Sequence, residues 1–321
     1  MRSIIVGYGI QGKKRADISL NSGTLVGLVD PAETEAKQYA AATNIRYERC
    51  LKDFPDDEYD AVVLCVPDLE KVDLIDFALS KKKSVLVEKP LLTGVSFEKL
   101  CAWRKLIEES GNRLQVAYNH RYEPAIIEAA DFIAEGGLGQ LYSAYLFYGN
   151  GTAQLVKASP WRDEGLGVVP DLFSHLWDIF NYFFPDTILQ YEYFSGLKNE
   201  TKAYDHATIF GKNEAAVTFE VTLTSWRNTF RVDLVGSRGS LHVDSLCKWG
   251  PSSLKIRRRI SSTGRPDEIE KRWVQNDPTW ETEYLDFLSK IESGGDNLES
   301  SFQLLDIFEQ LNELRVGGGK K

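Results

Sequence analysis

The feature that most constrains the fold is a glycine motif that directly follows a short apolar run at the start of the chain. Residues 3–6, Ser-Ile-Ile-Val, are too few and too β-branched for a helix, so they predict a buried strand. The motif is Gly7-Tyr8-Gly9-Ile10-Gln11-Gly12, a helix is predicted from Lys13, and a second apolar run over residues 25–29 ends on Asp30. Strand, GxGxxG turn, helix, strand and acid in this order predict a dinucleotide-binding unit.

Each glycine of this motif has a separate physical task. Gly7 permits a tight turn, Gly9 leaves room for a pyrophosphate beside the backbone, and Gly12 lets the helix pack close to the strand. The free N–H groups at the start of the helix attract phosphate. Asp30 is placed to accept hydrogen bonds from a ribose diol and to repel a 2′-phosphate, which favours NAD over NADP. The plainer alternatives are a glycine turn without a ligand and an acid that only belongs to the turn before Pro31.

Length and composition limit the class of protein. With 321 residues, 43% hydrophobic and 26% charged, the chain allows one large or two medium domains of a globular protein, and the glycine motif favours two. Its net charge of −9 argues against a nucleic-acid partner, and the basic run 255–259 alternates as an exposed strand does. Four scattered cysteines without a CxxC pair suggest neither a metal site nor disulfides. Without a signal peptide or the ~18 apolar residues of a membrane span, the chain is expected in the cytoplasm, away from membranes.

The predicted elements divide the chain near residue 120. Up to that point strands alternate with helices, which predicts a parallel, doubly wound sheet. The fold class expected is α/β plus α+β, with a Rossmann domain over residues 1–119 and a second domain over residues 120–321. The first domain is predicted to contain strands over residues 3–6, 25–29, 45–47, 59–66, 84–87 and 114–118, and helices over residues 13–20, 31–43, 69–80 and 97–110.

Successive strands without intervening helices predict a mainly antiparallel sheet in the second domain. An irregular loop is expected over residues 149–169, and a strongly apolar helix over residues 171–184. The remaining predicted strands cover residues 141–148, 190–195, 203–211, 215–224, 229–236, 240–244, 254–260 and 268–274, and the remaining helices cover residues 123–135, 280–292 and 300–316.

Doubly wound sheets bind ligands at the carboxyl ends of their strands. Besides the glycine motif and Asp30, these ends are Val66-Pro67-Asp68 after the fourth strand, Glu88-Lys89-Pro90 after the fifth, and residues 118–122 after the sixth. We therefore expect these segments to lie at the cofactor.

Three side chains have the chemistry that hydride transfer needs. Oxidation of an alcohol removes a hydride and a proton, so a base must take the proton and a positive group must stabilise the alkoxide. Among the four histidines, His175 has an acid, Asp171, at helical spacing, and it suits the base. Lys89 suits the positive group, and Asp171 would orient the histidine or hold a neighbouring hydroxyl. The plainer alternatives are a core histidine, a solvated lysine and a helix-capping aspartate.

Together these motifs resemble the glucose–fructose oxidoreductase/inositol dehydrogenase (Gfo/Idh/MocA) family over essentially the whole chain. The shared segments are the glycine motif, Glu88-Lys89-Pro90, Asn119-His120-Arg121-Tyr122 and residues 167–178, which include Asp171 and His175. The resemblance implies a Rossmann domain joined to a domain with an open-faced antiparallel sheet, NAD or NADP as cofactor, and homodimers or homotetramers. It also implies a sugar, sugar nucleotide or cyclitol as substrate.

The resemblance implies specific roles for residues of this chain. The catalytic set would be Lys89, Asp171 and His175, with no metal ligands. The residues expected to bind the cofactor are Gly7, Tyr8, Gly9, Ile10, Gln11, Gly12, Asp30, Val66, Pro67, Glu88, Lys89, Asn119, Trp161 and Arg162, of which Trp161 and Arg162 would line the nicotinamide.

The chain departs from the family in the segment after its fourth strand, which is expected at the cofactor. The family often has Thr-Pro-Asn-x-x-His after its fourth strand, whereas this chain has Asp68 in place of the asparagine and Lys71 in place of the histidine. Two other functions remain open. The first is an NAD(H)-binding regulator without turnover, which the intact catalytic set disfavours. The second is a reductase of a non-sugar substrate.

Overall fold

A computed structural model of the protein describes residues 1–160 and 162–317, and the chain divides into two compact units. The first unit comprises residues 1–118 and 280–305. The second unit comprises residues 119–279 and resumes at residue 306. The domains expected from the sequence were contiguous, whereas the chain leaves the first unit, builds most of the second and returns to the first.

The first unit begins with a parallel sheet flanked by helices. β1 (Ser3–Val6) and β4 (Ala61–Leu64) are buried at every residue because helices cover both faces of a doubly wound sheet, which explains their continuous apolar runs. The elements are β1 (Ser3–Val6), α1 (Ile10–Asn21), β2 (Leu25–Val29), α2 (Glu33–Thr43), β3 (Arg46–Glu48), β4 (Ala61–Leu64), α3 (Asp68–Ser80), β5 (Ser84–Glu88), α4 (Phe97–Ser110) and β6 (Arg113–Ala117).

Local signals set the ends of these elements. The side chain of Ser96 caps α4 by accepting the Lys99 N–H at 3.2 Å, and Gly111 ends it with a φ of +70°. The predicted helix over residues 97–110 therefore has the observed bounds.

The second unit is built on a larger sheet whose strands alternate between buried and more accessible side chains. The predicted loop over residues 149–169 contains a short helix, α6 (Ala153–Lys157). The elements are α5 (Pro124–Ala134), β7 (Leu141–Gly149), α6 (Ala153–Lys157), α7 (Ser174–Phe183), β8 (Gln190–Leu197), β9 (His206–Lys212), β10 (Ala216–Thr222), β11 (Thr229–Gly236), β12 (Gly239–Asp244), β13 (Ser252–Arg258) and β14 (Asp267–Trp273).

The chain closes with α8 (Thr279–Lys290), β15 (Gly295–Asp296) and α9 (Glu299–Gly317). β15 was not predicted, and it extends the first sheet by pairing with β6 in parallel. Tyr284 and Phe287 of α8 are fully buried in the core of the first unit beside Ile5 and Leu28.

The two sheets confirm the predicted fold class. The first has strand order β15-β6-β5-β4-β1-β2-β3, with parallel pairing throughout. The second has order β14-β13-β12-β11-β7-β10-β9-β8, and its pairing is antiparallel except between β7 and β10. Within the described residues, none of the helices is both long and apolar enough to cross a bilayer.

Aromatic packing fixes α7 on the buried face of the second sheet. The ring of Phe219 on β10 lies 5.7 Å from that of Phe180 and 5.1 Å from that of Phe173, just before α7. Because these large rings anchor the helix, they also fix the position of His175 on it.

Candidate active site

The three glycines of the first turn differ in what surrounds them. Gly7 has a φ of +88°, and a Cβ there would lie 2.5 Å from the Cys65 carbonyl oxygen. A Cβ on Gly12 would lie 1.9 Å from the Gly7 oxygen. A Cβ on Gly9 would meet nothing within 4 Å, so this glycine faces open space. Two glycines thus allow close packing, and the third leaves the turn accessible.

The start of α1 has the character of a phosphate-binding site. Gly9 is its N-cap, so no side chain caps the first N–H groups, and the first turn contains no acidic residue. Ile10 is 79% exposed, so this end of the helix is accessible. Uncapped N–H groups at the positive end of a helix bind anions, so the residues fit the pyrophosphate of a dinucleotide.

Asp30 is held by the same turn. Its Oδ2 accepts the Tyr8 N–H at 2.6 Å, its Oδ1 accepts the Ala32 N–H at 2.8 Å, and its carbonyl oxygen accepts the Tyr47 hydroxyl at 2.7 Å. These bonds fix a half-buried carboxylate at the end of β2, where a ribose diol is expected.

The segments after β4 and β5 are joined through Lys71. This residue lies in α3, the helix that begins directly after Val66 and Pro67, and its Nζ forms an ion pair with Asp68 at 2.6 Å. The same Nζ donates to the Pro90 carbonyl oxygen at 2.9 Å. Two of the positions at which the chain departs from the family, Asp68 and Lys71, thus pair with each other.

The Glu88-Lys89-Pro90 segment ends β5. Glu88 accepts a hydrogen bond from the Arg15 Nε at 2.9 Å, and Lys89 is half-buried. The peptide bond between Lys89 and Pro90 is cis, an isomer that a Lys-Pro sequence permits.

In the second unit, the predicted helix over residues 171–184 does not begin as a regular α-helix. Residues Val169–Phe173 form a π-helical turn, and α7 starts only at Ser174. Asp171 therefore lies in the wider turn and His175 in the α-helix, so the expectation that one regular α-helical turn separates them is wrong. Pro170 suits the start of such a segment because it has no N–H to satisfy. Wide turns of this kind often occur at functional sites.

His175 lies in a cluster of polar rings. Its imidazole stacks on that of His120, with centroids 4.0 Å apart and planes inclined by 26°. The Tyr148 ring lies 5.9 Å from it. Lys248 completes the cluster, because its Nζ lies 3.0 Å from the His120 Nε2 and 3.2 Å from the Tyr148 hydroxyl. When Lys248 is protonated its amine can only donate, and in that state the His120 Nε2 accepts and the ring proton lies on Nδ1.

Tyr148 contributes a phenolic hydroxyl to this cluster. Burial raises the pKa of Tyr148, and the negative charge of Asp171 raises it further. The phenol therefore keeps its proton at neutral pH. The cluster thus combines an imidazole pair, a neutral hydroxyl and a lysine amine, which are groups that hold or move protons.

Sequence reasoning did not assign Tyr148 or Lys248 a role, and it placed His120 only in the family motif. The alternation of β7 points Tyr148 to the buried face, and this was the available signal for it. Nothing in the sequence associates Lys248 with His120, which lies 128 positions away.

The other predicted site residues are placed as follows. Arg162 donates from its Nη2 to the Asp171 Oδ2 at 3.1 Å, so the two are partners. Asn119 donates from its Nδ2 to the Thr279 hydroxyl at 2.7 Å. Trp161 lies outside the described residues.

Comparison with known proteins identifies the family of the chain. The family model described as oxidoreductase family, NAD-binding Rossmann fold, matches residues 1–118, and the model of the GFO/IDH/MocA C-terminal domain matches residues 126–242. The scyllo-inositol 2-dehydrogenase (NAD(+)) of Bacillus subtilis is 26% identical over 264 residues, 77% of this chain and 74% of that protein.

Two further comparisons differ in coverage. The D-xylose 1-dehydrogenase [NADP(+)] of Haloarcula marismortui is 27% identical over 177 residues, 51% of this chain and 48% of that relative, so the chain spans about half its length. A levoglucosan dehydrogenase in complex with NADH superposes with a TM-score of 0.83 at 17% identity, covering 99% of this chain and 97% of that one, and shows the same fold. With both family domains matched in order, the chain belongs to the Gfo/Idh/MocA family of oxidoreductases, and its first unit is the NAD-binding Rossmann domain of that family.

Proposed function

We propose that this oxidoreductase transfers a hydride between nicotinamide and a hydroxyl-bearing carbon of a sugar, sugar nucleotide or cyclitol, with His175 as the general acid and base. The observation that carries the proposal is the polar cluster around His175. Its imidazole stacks on His120 beside Tyr148 and is not enclosed by apolar side chains alone. A core histidine would not require three further proton-bearing groups beside it.

The residues divide the reaction between them. NAD, when bound, supplies the hydride acceptor. As an alcohol is oxidised, His175 takes the hydroxyl proton, and the Lys89 ammonium stabilises the negative charge that develops on the oxygen. In the opposite direction His175 returns the proton to a carbonyl. Asp171, which Arg162 holds at 3.1 Å, binds a neighbouring substrate hydroxyl.

Similarity supports the substrate class. The Bacillus subtilis relative is named for scyllo-inositol and the Haloarcula marismortui relative for D-xylose, both of which carry several hydroxyl groups. A polyol binds through hydrogen-bond donors and acceptors, and the cluster offers them on Tyr148 and Lys248.

The test is cofactor absorbance over a panel of polyols, sugars and sugar nucleotides, with wild type and His175→Ala compared on the best substrate. Removal of a general base lowers turnover by roughly 100- to 10,000-fold. His206→Ala is the matched control, because this histidine lies on β9 of the same unit, beside Glu220 and outside the cluster. Full turnover by His175→Ala would exclude the assigned base. NADH binding without turnover across the panel would instead favour a regulator.

We also propose that the protein acts in the cytoplasm as a homodimer or homotetramer. The four cysteines support the compartment because all four are free thiols. Sedimentation velocity measures the assembly directly, and a monomer at micromolar concentration would exclude it.

A further inference from the structure

Two buried cations lie on either side of Lys89. The side chain of Arg15 is 1% exposed, and that of Lys71 is 2% exposed. One contacts the residue before Lys89 and the other contacts the residue after it. We call this pair the cation clamp.

Arg15 binds the residue that precedes Lys89. Its Nη2 lies 2.8 Å from a Glu88 carboxylate oxygen and 2.5 Å from one of Glu283. Its guanidinium also lies over the Trp280 ring at 4.4 Å. Arg15 thus has two anions and an aromatic face as partners, and its planar group holds Glu88 in one orientation.

Lys71 binds the residue that follows Lys89. It donates to the Pro90 carbonyl oxygen at 2.9 Å, and Asp68 lies 2.6 Å from the same Nζ. Burial lowers the pKa of Lys71, whereas the Asp68 charge raises it. A lysine near the N-terminus of a helix also opposes the helix dipole. Burial and the helix dipole thus disfavour a charged lysine here, and the Asp68 carboxylate favours it.

The contacts made by these cations therefore need a reason other than stability. A buried charge is seldom the most stable choice, and an apolar residue of similar size often serves as well. Both cations instead bind the segment Glu88-Lys89-Pro90 at the end of β5. Arg15 binds the side chain of Glu88, and Lys71 binds the main-chain carbonyl of Pro90. Because Glu88 and Pro90 are both held, Lys89 between them has little freedom to move.

We propose that Lys71, together with Arg15, is a positioning residue that fixes the Glu88–Pro90 backbone and thereby aims the Lys89 amine. The inference deepens the proposed function, since it concerns the group that stabilises the alkoxide. Lys71 acts through Pro90 and touches no reacting atom. This positioning role also explains why the chain has an aspartate at position 68 and a lysine at position 71. The carboxylate of Asp68 compensates the charge of the buried Lys71 amine.

The experiment compares Lys71→Met with Lys81→Met in the full-length protein. Methionine keeps the length of the side chain without its charge. Lys81, at the end of the same helix, pairs with Asp56 at 2.7 Å on the surface, so it controls for the loss of a lysine–aspartate pair. Amide hydrogen exchange of the peptide covering residues 86–92 is measured first, because it requires no substrate. Lys71→Met is expected to raise this exchange about tenfold, and Lys81→Met is expected to leave it unchanged.

Kinetics give the second readout. Misplacement of Lys89 is expected to lower kcat roughly 10- to 100-fold in Lys71→Met, with the Kd of NADH changed less than about threefold. A purely structural role would lower the melting temperature without separating kcat from cofactor binding.

The outcomes are distinct. Wild-type exchange at residues 86–92 together with wild-type kcat in Lys71→Met overturns the clamp. If Lys71→Met does not fold, the same exchange assay on Asp68→Asn decides whether the clamp exists. This substitution removes the ion partner of Lys71 and keeps the lysine. If the wild-type protein turns over no substrate, the proposed function fails, whereas the exchange data still decide whether the clamp exists.

Discussion

At the scale of single residues, Gly9 and Gly12 show that one motif contains two different constraints. An added Cβ meets nothing at Gly9 and overlaps the Gly7 carbonyl at Gly12. We therefore expect Gly9→Ala to keep its melting temperature within about 2 °C and to weaken NADH binding, since the methyl group occupies the approach of the phosphate. Gly12→Ala is expected to lose about 3 kcal/mol or more of stability, because backbone cannot yield as a flexible side chain can.

Thermal unfolding and NADH fluorescence titration separate the two effects. Each variant serves as the control for the other, since both add one methyl group to the same turn. Equal losses of stability in the two variants would contradict the assignment of different tasks.

Asp30 gives a second prediction at this scale. Its carboxylate is fixed by the N–H groups of Tyr8 and Ala32, so it would lie against a 2′-phosphate with little freedom to move away. Asp30→Asn removes the charge and keeps the shape, and it is expected to lower the Kd of NADPH relative to that of NADH about tenfold.

Competition binding with both dinucleotides measures this ratio. Asp17→Asn is a suitable control, because this acid lies on α1 and bonds to the Tyr39 hydroxyl at 2.8 Å. An unchanged ratio in Asp30→Asn would show that cofactor preference has another origin.

At the scale of elements, the turn that joins β8 to β9 depends on one buried carboxylate. Asp205 is fully buried, and it accepts the N–H groups of Asn199 at 3.0 Å, Glu200 at 2.5 Å and Thr201 at 3.2 Å. Burial alone would raise its pKa, but these donors outweigh burial, and the pKa of Asp205 lies below its ordinary value. The turn therefore requires the ionised form.

The sign of the pH dependence follows from this lowered pKa. The unfolded chain binds the proton first as the pH falls, so the contribution of Asp205 is complete above roughly pH 5 and is lost as the pH falls through the native pKa. Asp205→Asn is expected to cost about 2–3 kcal/mol at neutral pH, and this difference from wild type should shrink below roughly pH 4. Urea unfolding across pH measures it, with the exposed Asp186→Asn as control. A difference that is constant with pH would contradict this account.

At the scale of the whole molecule, local motifs were predictable and long-range partners were not. The glycine turn, the segment ending in Pro90 and the bounds of α4 each depend on neighbouring residues, so the sequence contains their signals. The Lys248–His120 contact depends on how distant strands and turns meet. β15 is Gly295-Asp296, two residues with weak strand propensity. Its pairing with β6, and not its own sequence, makes it a strand.

The return of residues 280–305 to the first unit is the largest feature that sequence reasoning missed. An apolar helical pattern shows that α8 buries one face, but it does not identify the sheet that covers that face. In the structure, the Tyr284 hydroxyl lies 2.8 Å from the Ser3 hydroxyl, and Asn297 bonds both backbone groups of Val116, at 2.7 and 2.9 Å. The Rossmann unit is therefore incomplete at residue 118.

This incompleteness can be tested with two fragments. Loss of Tyr284 and Phe287 from the core should cost about 3–5 kcal/mol each, which approaches the whole stability of an ordinary domain, about 5–15 kcal/mol. Residues 1–118 alone are therefore expected to melt without a cooperative transition and to bind a hydrophobic dye. The same residues joined to 280–305 by a flexible glycine–serine linker should melt cooperatively and bind NADH. If residues 1–118 alone melted cooperatively at the temperature of the joined fragment, the returning segment would be an addition to the Rossmann unit and not part of its core.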